Sequence, residues 1–161
     1  MRSLLALGLL WTSAIGCGLM AGIYFAFSAF LMTSLGRIAP ASGIAVMNAI
    51  CVDIVKSSFM PVFLLTTLSA ASLVALGVVR WGQPGSALMV TGGAVYVLGM
   101  FVVTMMFNVP LNDALAAADP GSTRGVALWS RYLTEWTMWN HVRTAASTIA
   151  TGMFVAALTG R

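Results

Sequence analysis

Charge is what this chain has least of. Of its 161 residues, eight are Lys or Arg and four are Asp or Glu, so 7% are charged against 60% hydrophobic. A soluble domain of this size carries about 25% charged residues. With a mean hydropathy of +0.96, the composition therefore excludes a water-soluble core-and-surface arrangement. The net charge of +4 is spread along the chain with no clustered basic patch. That excludes nucleic acid as a partner and suits anionic lipid headgroups. Two cysteines, Cys17 and Cys51, make no disulfide framework. The single histidine falls short of the three or so protein ligands of a catalytic zinc, so no metal site is expected. Alternating ten-residue segments are missing as well, which argues against a membrane β-barrel.

What is present is long apolar runs. Dividing the chain at its charges and Pro/Gly breaks leaves stretches from Ser3 to Gly36, Ser57 to Val79, Ser86 to Phe107 and Thr144 to Gly160. About 20 apolar residues cross a bilayer as helix. The expected fold is therefore all-α, a four-transmembrane-helix bundle formed as a single integral-membrane domain over residues 1–161, with both termini on one side. Positions 37–56 read as a loop, with Asp53 and Ser57 as caps of the second span and Pro61 in its first turn. Pro110 is expected to end the third span. Residues from Asp113 to Ala118 would form a short interfacial helix between the third and fourth spans, with Ser122 or Thr123 capping the last. Basic residues are Arg2, Arg80 and Arg161 on the terminal side, and Arg37, Lys56, Arg124, Arg131 and Arg143 on the other. The count favours the second side as cytoplasmic, unless Arg143 and Arg131 are held in a site. Ala14-Ile15-Gly16-Cys17 has the look of a lipoprotein cleavage site, but the apolar run continues past it as a span does. Small residues at Ala14, Gly18, Gly22 and Ala26 form a ridge for packing within the bundle, or for a homo-oligomer seam. Tyr24, Phe25, Phe27 and Phe30 make the end of that span aromatic, as an interfacial belt or a cavity wall.

The polar groups able to do chemistry fall in two runs, Asn108-Val109-Pro110-Leu111-Asn112-Asp113 and Trp139-Asn140-His141-Val142-Arg143-Thr144. Between Arg143 and Arg161 lie 17 residues, roughly 26 Å of helix, less than the roughly 30 Å of hydrocarbon. Arg143 and His141 are thus expected at the membrane boundary, where a cation must snorkel or find a partner. At 100° per residue, Trp129, Tyr132, Trp136, Trp139, Asn140 and Arg143 share one face, which reads as an interfacial aromatic belt in preference to a pocket wall. His141 lies on the opposite face with Thr134, Thr137, Met138, Thr144, Ala145 and Thr148, a stripe suited to packing inside a bundle, so His141 is expected to point inward. It could be a hydrogen-bonded structural imidazole, a general base, or a haem ligand.

These residues resemble the anthrone oxygenase-like family of small four-helix membrane proteins. The likeness rests on three blocks: Gly18-Leu19-Met20-Ala21-Gly22-Ile23-Tyr24-Phe25-Ala26-Phe27-Ser28; Phe107 through Leu115; and Trp129, Tyr132-Leu133, Trp136 with Trp139 to Thr144. The resemblance implies an oxidoreductase of the monooxygenase type, taking an apolar aromatic small molecule and O₂ in the cell (inner) membrane. It would oxidise an anthrone or other quinone precursor without a cofactor. On that expectation His141 is the base, and Asn108, Asn112 or Arg143 stabilises the oxyanion. Asp113 pairs with Arg143 or orients His141, and Tyr24, Trp136, Trp139 and Asn140 bind substrate. The alternatives are a non-enzymatic module binding a lipid, a quinone or a haem through His141, and a subunit of a larger membrane complex.

Overall fold

The structure is a computed structural model that describes residues 4–160; Arg2, Ser3 and Arg161 lie outside the described residues. Five helices follow one another: α1, Leu4–Leu35; α2, Pro40–Lys56; α3, Phe59–Val79; α4, Ser86–Ala116; and α5, Thr123–Thr159. No strand occurs among the described residues. All except α2 are long and apolar enough to cross a membrane. They form a four-helix bundle in which α1 packs on α5 and α3, and α4 packs on α3 and α5. Near the termini the core joins Ala6, Leu10, Phe154 and Ala157, so both ends of the described chain lie at the same end of the bundle.

Small residues let the helices approach. A Cβ on Gly99 would stand 2.6 Å from the Ala146 Cβ, and one on Gly16 would collide with the Thr66 side chain. Gly22, by contrast, faces open space. The ridge expected at Ala14, Gly18, Gly22 and Ala26 therefore supplies only part of the α1 contact, and Gly16 makes the close approach. Ser13 donates to Ser69 Oγ (2.9 Å), which in turn donates to the Leu9 carbonyl (3.0 Å), fastening α1 to α3.

Two expectations are corrected at the far end of the bundle. Positions 40–56 are not a loop but the helix α2, begun by Pro40 in its first turn, where proline is pre-organised and its missing N–H costs nothing. Gly43, Ile44 and Met47 are buried, and Ile50, Cys51 and Ile54 half-buried, an i, i+3, i+4, i+7 stripe. Asp53 lies exposed inside this helix and caps nothing. Ser57 does link the two elements, donating to the Ile54 carbonyl (2.9 Å) and accepting from Phe59 N–H (3.1 Å).

The second correction concerns Pro110. The fourth helix does not stop there but runs to Ala116, so the expected interfacial helix is the continuation of the span. Immediately before the proline, Thr104–Asn108 is π-helical. The wider turn accommodates the ring and the missing donor that a regular α-turn would not. Two more π-helical segments are Phe27–Leu31 near the end of α1 and Val97–Val102 at the middle of α4. Ser122 caps α5 as expected, accepting from Gly125 N–H at 3.0 Å.

Replacing Gly99 by Leu is expected to destabilise the bundle by about 1–3 kcal/mol, while Gly22→Leu, made in open space, leaves stability within about 0.5 kcal/mol. Thermal unfolding of the purified protein in detergent checks this pair; equal losses would refute the packing described.

Candidate functional site

Which face of α5 points inward decides the site. Trp129, Tyr132, Trp136, Asn140 and Arg143 are buried, whereas His141 is exposed. The grouping by helical period holds, but its direction is the reverse of the expected one. Thr134 and Thr148 are tolerated outside because each donates to the carbonyl four residues back in its own helix, whereas half-buried Thr144 does the same and also meets Ser28 Oγ of α1 at 3.1 Å. That hides the Thr134 and Thr148 hydroxyls without a neighbouring helix. The aromatic face turns in as a ladder. Trp129 stacks on Tyr132 and Tyr132 on Trp136, with centroids 5.7 and 5.8 Å apart, and Phe27 packs on Trp136 at 5.5 Å.

Arg143 is the centre of this arrangement. It is 5% exposed, and the only ion pair among the described residues is the exposed Arg131–Glu135 contact. Arg143 thus has no carboxylate partner. Its guanidinium carbon stands 4.4 Å from the Tyr24 ring centre and 4.9 Å from that of Trp136, two desolvated cation–π contacts. Nη2 donates to Asn140 Oδ1 at 2.8 Å and Nη1 to Thr104 Oγ1 at 3.4 Å, while Nε has no partner.

Asparagines brace the cation. Asn140 Nδ2 donates to the Tyr24 carbonyl and to Ser28 Oγ, both at 2.7 Å, so one amide ties α1 to α5 while its oxygen holds Arg143. Asn112 Oδ1 accepts from Tyr132 Oη (2.7 Å) and Trp136 Nε1 (2.9 Å), which fixes the ladder against α4. Asn108 Nδ2 donates to the Trp136 carbonyl at 3.2 Å, and its Oδ1 is buried without a partner. Asn108 and Asn112 are four apart and so share the inner face of the continuous helix. Asp113, one residue on, is exposed. It neither pairs with Arg143 nor reaches His141, and that expectation is corrected.

Beside this network lies a cavity of about 310 Å³. Tyr24, Thr104, Asn112, Trp136 and Arg143 form its polar wall; Met47, Ile50, Cys51 and Ile54 of α2 close one side; Phe59, Met60 and Phe63 of α3 close another. Burial pushes the Cys51 thiol above the usual thiol range, with Arg143 pulling the other way and Asp113 adding to the rise. Of the expected site residues, the structure brings together Tyr24, Asn112, Trp136 and Arg143 at the cavity, with Asn140 and Asn108 directly behind. His141 and Asp113 lie outside it. Trp139, half-buried, is stacked on Phe107 at 3.7 Å and does not line it. The aromatic end of α1 divides likewise: Tyr24 and Phe27 line the cavity, and Phe25 and Phe30 face outward. The α2 wall was missed by the sequence reading, although the Ile44, Met47, Cys51 and Ile54 spacing is a signal for it. Among the described residues no three of His, Cys, Asp or Glu are grouped as metal ligands.

A family model described as anthrone oxygenase matches residues 49–153. The chain belongs to the anthrone oxygenase family. The match runs from the middle of α2 through most of α5, and so takes in Cys51, Thr104, Asn112, Trp136 and Arg143 but not Tyr24. No curated protein and no solved structure matches the chain. For this anthrone oxygenase family member, the family and the buried-cation cavity are two independent observations.

Asn140→Leu removes the shared brace and is expected to cost about 1–2 kcal/mol, the upper range for membrane-embedded hydrogen bonds. Unfolding in detergent measures it; a loss no greater than that of the exposed Thr148→Leu would show the brace to be unimportant.

Proposed function

We propose that this family member oxidises an anthrone-type or similar quinone-precursor aromatic with O₂, in the cell membrane, within the cavity beside Arg143. The single observation that carries the reading is a buried, carboxylate-free guanidinium set in the wall of an otherwise apolar cavity, in a chain of the anthrone oxygenase family. An anthrone's central methylene is acidic because its anion is an aromatic oxyanion. That anion is electron-rich enough to reduce O₂ itself. It passes one electron to O₂, and the resulting superoxide recombines at the ring carbon to form a C–O bond. The hydroperoxide then loses water to leave the quinone. One oxygen atom of O₂ enters the product and the other leaves as water, with the two hydrogens of the methylene. The anion supplies the electrons, so the step calls for no flavin or metal.

In this scheme Arg143 holds the oxyanion, and a preorganised donor in a site poor in water is worth far more than the same donor in bulk. Asn112, already engaged by Tyr132 and Trp136, positions the ring ladder. Tyr24 and Trp136 present flat faces to a flat substrate. Asn108 and Asn140 act through the residues they hold. His141, on the outer face, takes no part, and a haem ligated by it would lie outside the cavity. Apolar substrate and O₂ both concentrate in a bilayer, which suits an enzyme whose cavity has an apolar lining.

Purified protein is expected to convert the anthrone dithranol to its quinone with ¹⁸O₂ delivering one labelled atom to the product. Arg143→Gln should lower turnover by about 10²–10³-fold, the cost of losing one oxyanion donor, while His141→Ala leaves it unchanged. Absence of quinone above the protein-free rate would sink the oxygenase reading, and turnover lost in His141→Ala would sink the role assignment.

A further inference from the structure

We infer that the cavity selects its ligand as a monoanion. A phenolate, enolate or carboxylate oxygen docks on Arg143 and the apolar body fills the space under α2, so the ligand's proton is lost before binding and not to a base in the site. The inference concerns the cavity of the oxygenase reading but does not depend on turnover.

Three observations carry it. First, Arg143 is a buried cation with no counter-charge. Burying a guanidinium is costly unless it is paired, and the ring contacts and two hydrogen bonds leave Nε without a partner. An anionic oxygen at the cavity wall supplies what is missing. A neutral ligand does not. Second, the groups that face Arg143 hold no ready proton acceptor. From α1, the Tyr24 hydroxyl already donates to Met100 Sδ at 3.5 Å. From α2, Cys51 is kept as a neutral thiol by burial. From α5 itself, the Tyr132 hydroxyl donates to Asn112. From α4 the neighbours are Thr104 and Asn112, neither of which titrates, and α3 contributes Phe59, Met60 and Phe63. The nearby acid, Asp113, and the histidine, His141, are both exposed. Third, the outward rim of the cavity is apolar. Ile23, Val55 and Met105 line it and are 37, 62 and 49% exposed. An amphiphile lying at the membrane boundary can insert its hydrocarbon part there while its one charged oxygen reaches the arginine.

The same chemistry is offered by an ionised aromatic substrate and by a free fatty acid, and the experiment separates them. The full chain in zwitterionic lipid nanodiscs is titrated with anthracene-9-carboxylate and with its neutral counterpart anthracene-9-methanol. Tryptophan quenching is read against empty nanodiscs, and oleate is added as competitor. The carboxylate is expected to bind about 10–100-fold more tightly, the worth of a hydrogen bond to a charged group. Arg143→Gln should remove that preference while leaving the methanol's affinity in place, and Met105→Trp should weaken both probes. Should Arg143→Gln fail to fold, the wild-type protein decides alone. Affinity for 4-nitrophenol, which ionises near neutrality, should tighten as pH rises across that ionisation. Equal affinity for the two anthracenes, a preference that survives in Arg143→Gln, or phenol binding that does not tighten with ionisation overturns the inference. Displacement of the tricycle by oleate supports an anion receptor whose source is lipid. Tight anion binding without dithranol turnover likewise upholds this inference while the oxygenase reading falls.

Discussion

A guanidinium held away from water with no carboxylate to balance it is the constraint around which this molecule is arranged. Neither of the usual solutions is taken: Arg143 does not snorkel to the boundary, and none of the four acids is brought to it. Two aromatic faces, one amide oxygen and the Thr104 hydroxyl hold the cation instead. Each of those partners has to be positioned in turn. Asn140 reaches across to α1, Asn112 pins the ring ladder from α4, and Thr104 rises from the π-helical turn beside it. The polar residues of three spans thus form one network with the arginine at its centre.

Irregular backbone runs from the middle of the bundle toward this end. A π-helical turn in α1 lies just beyond Tyr24, and two in α4 lead up to Asn108 and Pro110. A wide turn changes the rotation of the residues that follow it, and such turns recur at functional sites. Here they let α4 carry Thr104, Asn108 and Asn112 to the inner face and pass through a proline without stopping. The terminal half of the bundle is packed with Leu10, Leu73 and Phe154 and small residues. The cavity opens only where the spans must accommodate the arginine and its rings, and α2 covers it.

The proposed oxidation joins membership of the anthrone oxygenase family to a cation at an apolar cavity. An oxidation whose reductant is the substrate's own anion asks the protein for little beyond stabilising that anion and keeping water away. A base in the site is needed only if the substrate arrives protonated. On the inference that the ligand binds already ionised, that step passes to the membrane surface and Arg143 is the principal group the cavity must supply.

Much of this was legible in the residues. Four apolar runs and a dearth of charge are enough for the spans, because a bilayer leaves few other ways to satisfy the backbone. Helical period alone grouped Trp136, Asn140 and Arg143 on one face and His141 on the other. Period has no sign, however, and it could not tell which face meets the bundle: threonines that bond to their own helix resemble a packing stripe, and rings that stack on a cation resemble an interfacial belt. Nor could it show that Pro110 would be absorbed by a π-turn, which decides that Asn112 faces in and Asp113 out, or that positions 40–56 would fold over the cavity. Those outcomes depend on contacts between residues far apart in the chain, such as Asn140 with Tyr24, 116 positions away. Composition and periodicity therefore determined the spans and the set of polar residues available. The tertiary packing decided which of them meet, because only there does the cost of burying Arg143 choose the neighbours that relieve it.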